Sequence, residues 1–393
     1  MNTTARFFSR FVFTLASLMA FLSASPSGAQ WALMRSDADA AVRVGVRHIY
    51  NLEFDSASIE FQKVIRAYPQ HPVGYFLDAM VDWWEISTNT RDKRMDERYL
   101  RKIDRVITIC DSILDKNEND IVGLFFKGGI IGFRGRYYVL RNDWAAAAFD
   151  GKRAFDLVQK CQEVAPGNRD VMLGTGIYHY FMESIPERYP AVKPLIAMLP
   201  PGDKRTGIAE LKLASQSARY AATEAKVVLL QLQYGMEKNY TEALAIAQQL
   251  STEFPKNSMF KSFLGRCYVQ LGNYDRMEET WREVLNNCID RKTGYDNIIA
   301  REAMYYIGLS LMQRGKYDEA LNYFYKCDEF SRKLDNTKPS GWMIMLNSRI
   351  GNIYDVQGKR DLAITQYKKV LGWEDYYESH KYAKQFLERP YGK

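Results

Sequence analysis

Between Arg301 and Leu371 the same pattern of side chains is written twice, 43 residues apart. The first copy carries Gly308, Leu311, Gly315, Tyr317, Ala320, Phe324 and Cys327; the second carries Gly351, Tyr354, Gly358, Arg360, Ala363, Tyr367 and Val370. Small residues fall where two helices must approach, and bulky ones fall where the gap between them must be filled. The spacing predicts two amphipathic helices joined by a tight turn in each copy. One such hairpin cannot bury its apolar face alone. A chain built from them grows by stacking neighbours along one axis, with no need for sheet edges or long-range closure.

The spacing resembles the tetratricopeptide repeat (TPR) family, a unit of about 34 residues with a small residue near position 8, Ala near 20 and an aromatic near 24. The same ruler finds Gly265, Tyr268, Gly272, Tyr274 and Trp281 in one upstream copy, and Tyr234, Tyr240, Ala243, Ala247 and Pro255 in the copy before it. At the front, Gly45, Phe54, Ala57, Phe61, Val64 and Pro69 fit it as well. Repeats are placed from near Asp39, Pro72, Ile121, Arg169, Glu224, Ser258, Arg301 and Ile344. The resemblance implies an all-α helical-hairpin solenoid, a right-handed superhelix of about eight repeats in a single domain over 30–393. An amphipathic segment over 376–388 is expected to cap it. Asp55 is placed to cap the second helix, and the third repeat is expected to carry a lengthened connection over 134–142.

Residues 1–29 read differently. Arg6 and Arg10 precede an apolar run from Phe11 to Leu22, small residues follow, and the segment has no acidic residue. This is the pattern of a secretory signal peptide cut after Ala29, and it implies a periplasmic or secreted protein. A mitochondrial transit peptide is the competing reading, against which the unbroken apolar run argues. The run, of about 12 residues, is shorter than the roughly 20 needed to span a bilayer. Removing the two arginines takes the formal charge from +7 to +5. That excess is too small and too dispersed for a nucleic-acid footprint. Five cysteines, an odd number, cannot all pair; Cys110, Cys161 and Cys327 fall inside second helices and read as buried thiols, and a Cys267–Cys288 disulfide rests on proximity alone.

The fourth repeat departs most from the ruler. After a helix over 170–183, Pro186, Pro190, Pro194, Pro200 and Pro201 punctuate an insert that spans 183–207. Its apolar stretch 191–199 is expected to form one or two helical turns, and 202–206 to cap the returning helix over 207–217. Over about 40 residues this block also resembles the inclusion-body-clearance type of TPR protein.

Catalytic and metal-binding patterns are not found. The four histidines form no paired spacing, no Cys-x-x-Cys or nucleophile elbow occurs, and no Lys-Ser or Lys-Thr follows the glycines at 128–129 and 174–176. No cofactor, metal or catalytic residue is assigned, and the chain is read as a non-enzyme. The one cluster for an alternative enzyme reading is His179, Glu183, Glu187 and Asp203. By resemblance to the family, positions 2, 5, 9 and 12 of first helices face the concave side. They supply the candidate partner-binding residues Leu173, Ile177, Tyr180, Arg266, Tyr305 and Asn352, to which Tyr189 of the insert is added. This mix of polar and apolar side chains suits a protein or peptide partner. The reading is an exported scaffold that binds such a partner in its groove. The alternative is a structural component of a cell-envelope assembly, associated peripherally with a membrane complex and docking through its convex face or insert.

Overall fold

The computed structural model describes residues 36–188, 193, 197, 199–335 and 338–393. The segment 1–29 expected to be a signal peptide, Tyr189 and most of the apolar stretch 191–199 lie outside these residues. Among the described residues the secondary structure is helical throughout. The first four hairpins are α1 (Ser36–Tyr50) with α2 (Phe54–Ala67), α3 (Pro72–Thr88) with α4 (Asp96–Leu114), α5 (Ile121–Leu140) with α6 (Trp144–Val164), and α7 (Val171–Arg188) with α8 (Lys204–Ser217). The second four are α9 (Ala222–Gly235) with α10 (Tyr240–Glu253), α11 (Ser258–Gln270) with α12 (Tyr274–Ile289), α13 (Asn297–Gln313) with α14 (Tyr317–Leu334), and α15 (Gly341–Val356) with α16 (Arg360–Leu371). Helix α17 (Ser379–Glu388) follows as the expected cap, packing Ala383 onto the core of the last hairpin.

The repeated residues do the same work each time. An added Cβ would lie 2.6 Å from the Trp281 ring at Gly265, 2.7 Å from the Phe324 ring at Gly308 and 2.6 Å from the Tyr367 ring at Gly351. A first helix thus gives up its side chain so that the aromatic of the second helix can lie against its backbone. The turns repeat too: Gly272, Gly315 and Gly358 have φ of 68°, 73° and 74°, a left-handed conformation that L side chains resist.

Local expectations are corrected in three places. Residues 134–140 continue α5, so the extra length of the third repeat is mostly helix and not loop. Asp143, whose carboxylate accepts from the Ala146 amide at 3.1 Å, then starts α6. Helix α7 runs through Pro186, which lies in its last turn, while Asp203 starts α8 by accepting from the Thr206 amide at 2.6 Å. Asp55 sits inside the first turn of α2, where its charge complements the helix dipole, and is not the cap.

The described residues group into two compact units. One contains the described residues up to Val44 with those of Ile59–Ala79 and Glu97–Ala225; the other contains those of Gly45–Ser58, Met80–Asp96 and Lys226–Lys393. In the first unit, Gly128 and Gly174 both face Val158, and Leu124, Cys161 and Val171 complete that cluster. Helices α7 and α8 cross at Gly176 and Gly207, where an added Cβ on Gly207 would lie 2.6 Å from the Tyr180 amide nitrogen. Buried Asp170 takes hydrogen bonds from the amides of Tyr220 and Ala221, each at 2.7 Å, and a longer one from Arg219. In the second unit one continuous core runs from Met277, Trp281 and Val284 through Ile307, Leu311 and Phe324 to Leu346 and Ile353.

All five cysteines are free thiols, so Cys267 and Cys288 are not bridged. Burial pushes Cys110, Cys161, Cys267, Cys288 and Cys327 up to about 12, which leaves them as poor nucleophiles at neutral pH.

Candidate partner-binding face

Each unit presents first-helix residues that the resemblance to the family assigns to the inner face. In the first unit these lie on α7. Leu173 and Ile177 are half-buried, whereas Tyr180 is fully buried, its backbone against Gly207 and its ring edge-on to Phe181. The Tyr180 side chain is therefore part of the α7–α8 packing and presents no surface to a partner. Tyr189 lies outside the described residues.

In the second unit the candidates separate by burial. Tyr305 is enclosed by Trp342, whose ring meets it edge-on at 5.4 Å, and by Phe324 at 5.9 Å. Trp342 also approaches Tyr306, which stacks on Trp281 at 5.1 Å. The inner positions of α13 are thus filled by rings from the chain itself. Asn352 is buried as well, its side-chain oxygen accepting from the Tyr367 hydroxyl at 3.1 Å. Tyr305 and Asn352 hold hairpins together and are not displayed.

Arg266 is the exception. It stands on α11 over the Phe263 ring and donates from Nε and Nη2 to the two carboxylate oxygens of Glu302 on α13, at 2.6 and 2.5 Å. Glu302 is nearly inaccessible, while the Arg266 side chain keeps 31% exposure. Burial alone would lower the guanidinium pKa, but the Glu302 charge and hydrogen bonds outweigh it and hold the group above its ordinary value. Arg266 stays protonated at any working pH. A guanidinium has five N–H donors in a fixed fork; Glu302 takes two, leaving three for an acceptor brought by a partner. The position rule names this residue, but its charge partner on the next hairpin carries no signal in the spacing.

The cluster considered for catalysis proves to be a set of ties. His179 pairs with Glu210 through Nδ1 at 2.7 Å, Glu183 accepts from the Lys204 amide at 2.7 Å, and Glu187 pairs with the Lys204 ammonium. Asp203 caps α8, and its pKa is held below the usual range first by the Thr206 hydroxyl and amide. The first three contacts fasten α8 to α7, and the last starts α8. Among the described residues no three His, Cys, Asp or Glu side chains gather as a metal would require, and no helix is long and apolar enough to cross a membrane.

Residues 302–329 match the tetratricopeptide repeat profile. No curated protein matches the chain in sequence. Among solved structures the chain is similar to the APC/C Cut9–Hcn1 hetero-tetramer, with a TM-score of 0.50 and 14% identity over 85% of this chain and 52% of that one. It spans about half the length of that protein. It is also similar to a tetratricopeptide repeat protein from Parabacteroides merdae (TM-score 0.28, 12% identity, 90% of this chain and 98% of that one). A third similar structure is a Rap protein complexed with competence and sporulation factor (TM-score 0.42, 12% identity, 90% and 97%). At such identities the first similarity speaks for the fold alone. Taken with the matched repeat and the glycine–aromatic interlocks at 265, 308 and 351, it shows an all-α helical-repeat solenoid fold that carries a tetratricopeptide repeat at 302–329.

Proposed function

We propose that the protein is an exported, non-catalytic scaffold that binds a protein or peptide partner on the inner face of its second unit, with Arg266 as the polar anchor. The observation that carries this reading is the Arg266–Glu302 pair, an arginine side chain that keeps partial exposure and is fixed in orientation by a nearly inaccessible carboxylate. Fixing the group before the partner arrives lowers the ordering cost of binding. Its three remaining N–H groups suit backbone carbonyls or carboxylates of an extended segment. Met259 and Val269, on the same helix and partly exposed, would supply apolar contact to the same partner.

The test places a photo-crosslinking residue at Met259 or Val269 in the full chain within cells, and repeats the capture with Arg266→Lys. Lysine keeps a charge for Glu302 but loses the fork. A crosslinked partner that disappears with Arg266→Lys supports the site; one captured equally well places recognition elsewhere. Alanine is the wrong probe, because it would strand a buried carboxylate at a cost of about 3–5 kcal/mol.

Export rests on the segment 1–29. Mass analysis of the protein from an extracellular or periplasmic fraction is expected to show Gln30 as the first residue. A cytosolic chain that keeps residues 1–29 would overturn the assignment.

A second reading is a structural subunit of an envelope complex, peripherally associated with a membrane. It is favoured by the rings at the cap, where Tyr377 is 81% exposed beside exposed Tyr376 and Tyr382. Crosslinks captured from Tyr377 and not from Met259 would select it.

A further inference from the structure

In a stack of hairpins each unit touches its sequence neighbours, and nothing in the repeat pattern calls for contacts across 200 residues. The second unit contains such a contact. Where α1 ends, Leu52 adopts φ of 59° and is buried. The backbone carbonyl of Tyr50 accepts a hydrogen bond at 2.8 Å from Nδ2 of Asn257, a fully buried side chain 207 residues away. The Tyr50 ring meets Trp84 of α3 at 5.0 Å and Phe254 at 5.1 Å, and Trp84 meets Phe260 of α11 at 6.0 Å. On the other side of Leu52 stands Gly294, with φ of 79°, where an added Cβ would lie 2.5 Å from Leu52 Cδ1 and 2.8 Å from Ser258 Oγ. An ion pair between Glu53 and Lys256 closes the rim.

Asn257 joins two structures with one side chain. Its oxygen accepts from the Met259 and Phe260 amides at 3.0 and 3.2 Å and so caps α11, while its amide N–H₂ holds the end of α1. The start of the sixth hairpin and the end of the first helix are therefore fixed by the same group. The aromatic rings exclude water from that bond, and in such surroundings a missing partner is costly.

We infer that the segment from Tyr50 to Glu53, with the last turns of α3, is a clasp that, within the second unit, holds the end of α1 and the start of α2 to the junction of the fifth and sixth hairpins. These parts of the second unit open together and not repeat by repeat. The clasp converts a nearest-neighbour stack into a cooperative body, and it does so through residues the repeat pattern leaves unassigned.

The test is hydrogen exchange on the full chain with Asn257→Ser. Serine keeps an oxygen to cap α11 but removes the N–H that reaches Tyr50. The expected result is faster exchange, by about tenfold, in Ser258–Gln270 and equally in Phe54–Ser58 and Met80–Thr88, with Arg360–Leu371 unchanged. Faster exchange confined to Ser258–Gln270, or no change in any segment, would overturn the clasp. Tyr50→Leu provides the reciprocal test if the first variant does not fold. Made on the first hairpin, it must deprotect Ser258–Gln270, and its failure to do so would contradict the inference.

Discussion

At the scale of the residue, the glycines at 265, 308 and 351 show most clearly what the repeat encodes. Gly308→Ala would drive a methyl group to 2.7 Å from the Phe324 ring, which lies between two helices and has no room to retreat. The expected loss is about 1–3 kcal/mol, read as a fall in the denaturant midpoint with an unchanged slope. A midpoint equal to that of the parent protein would show that the helices do not approach as described. Glycines at these positions are legible in sequence because backbone-to-ring contact leaves them little alternative. Partner-facing positions are less legible. Position rules assume that the inner face stays open, but Trp342 covers Tyr305, and Gly207 brings α8 onto the backbone of Tyr180. Replacing Tyr180 by alanine therefore probes packing, at about 3–5 kcal/mol, and says nothing of binding.

At the scale of the element, helix content and hairpin boundaries follow from periodicity, caps and turns, and most were readable. Periodicity does not distinguish a long loop from a helix that simply continues, which is why residues 134–140 read as connection and fold as part of α5. Proline is a similar case, since Pro186 in the last turn of α7 ends a helix without preventing that turn. Charge pairs between elements are also invisible to periodicity, and the junction of α1 with α2 gives one a measurable consequence. Hydrogen bonds from Lys256 and then His48 hold the Glu53 carboxyl below its ordinary range. A carboxylate depressed in the folded state stabilises above its unfolded pKa, and that stability is lost as pH falls through the folded value. Stability measured across about pH 3–6 is expected to decline less steeply toward acid in Glu53→Gln than in the parent chain. Identical acid limbs would show that the ion pair contributes nothing to folding.

At the scale of the whole molecule, the eight hairpins and the cap of the described residues could be counted from the sequence because each copy repeats one local solution to one packing problem. What could not be counted were features that occur once. The contact of Tyr50 with Asn257 belongs to no repeat, and neither does the pairing of Arg266 with Glu302. Both arise from three-dimensional neighbours that sequence spacing does not specify. Recognition is proposed to run through that fixed guanidinium. The direct measurement is calorimetric titration of the crosslink-identified partner into the parent protein and into Arg266→Lys, with thermal unfolding of both recorded in parallel. The expected result is an affinity lower by about tenfold, or about 1.4 kcal/mol, in Arg266→Lys, with near-equal unfolding temperatures. Equal affinity in two equally stable proteins would contradict it.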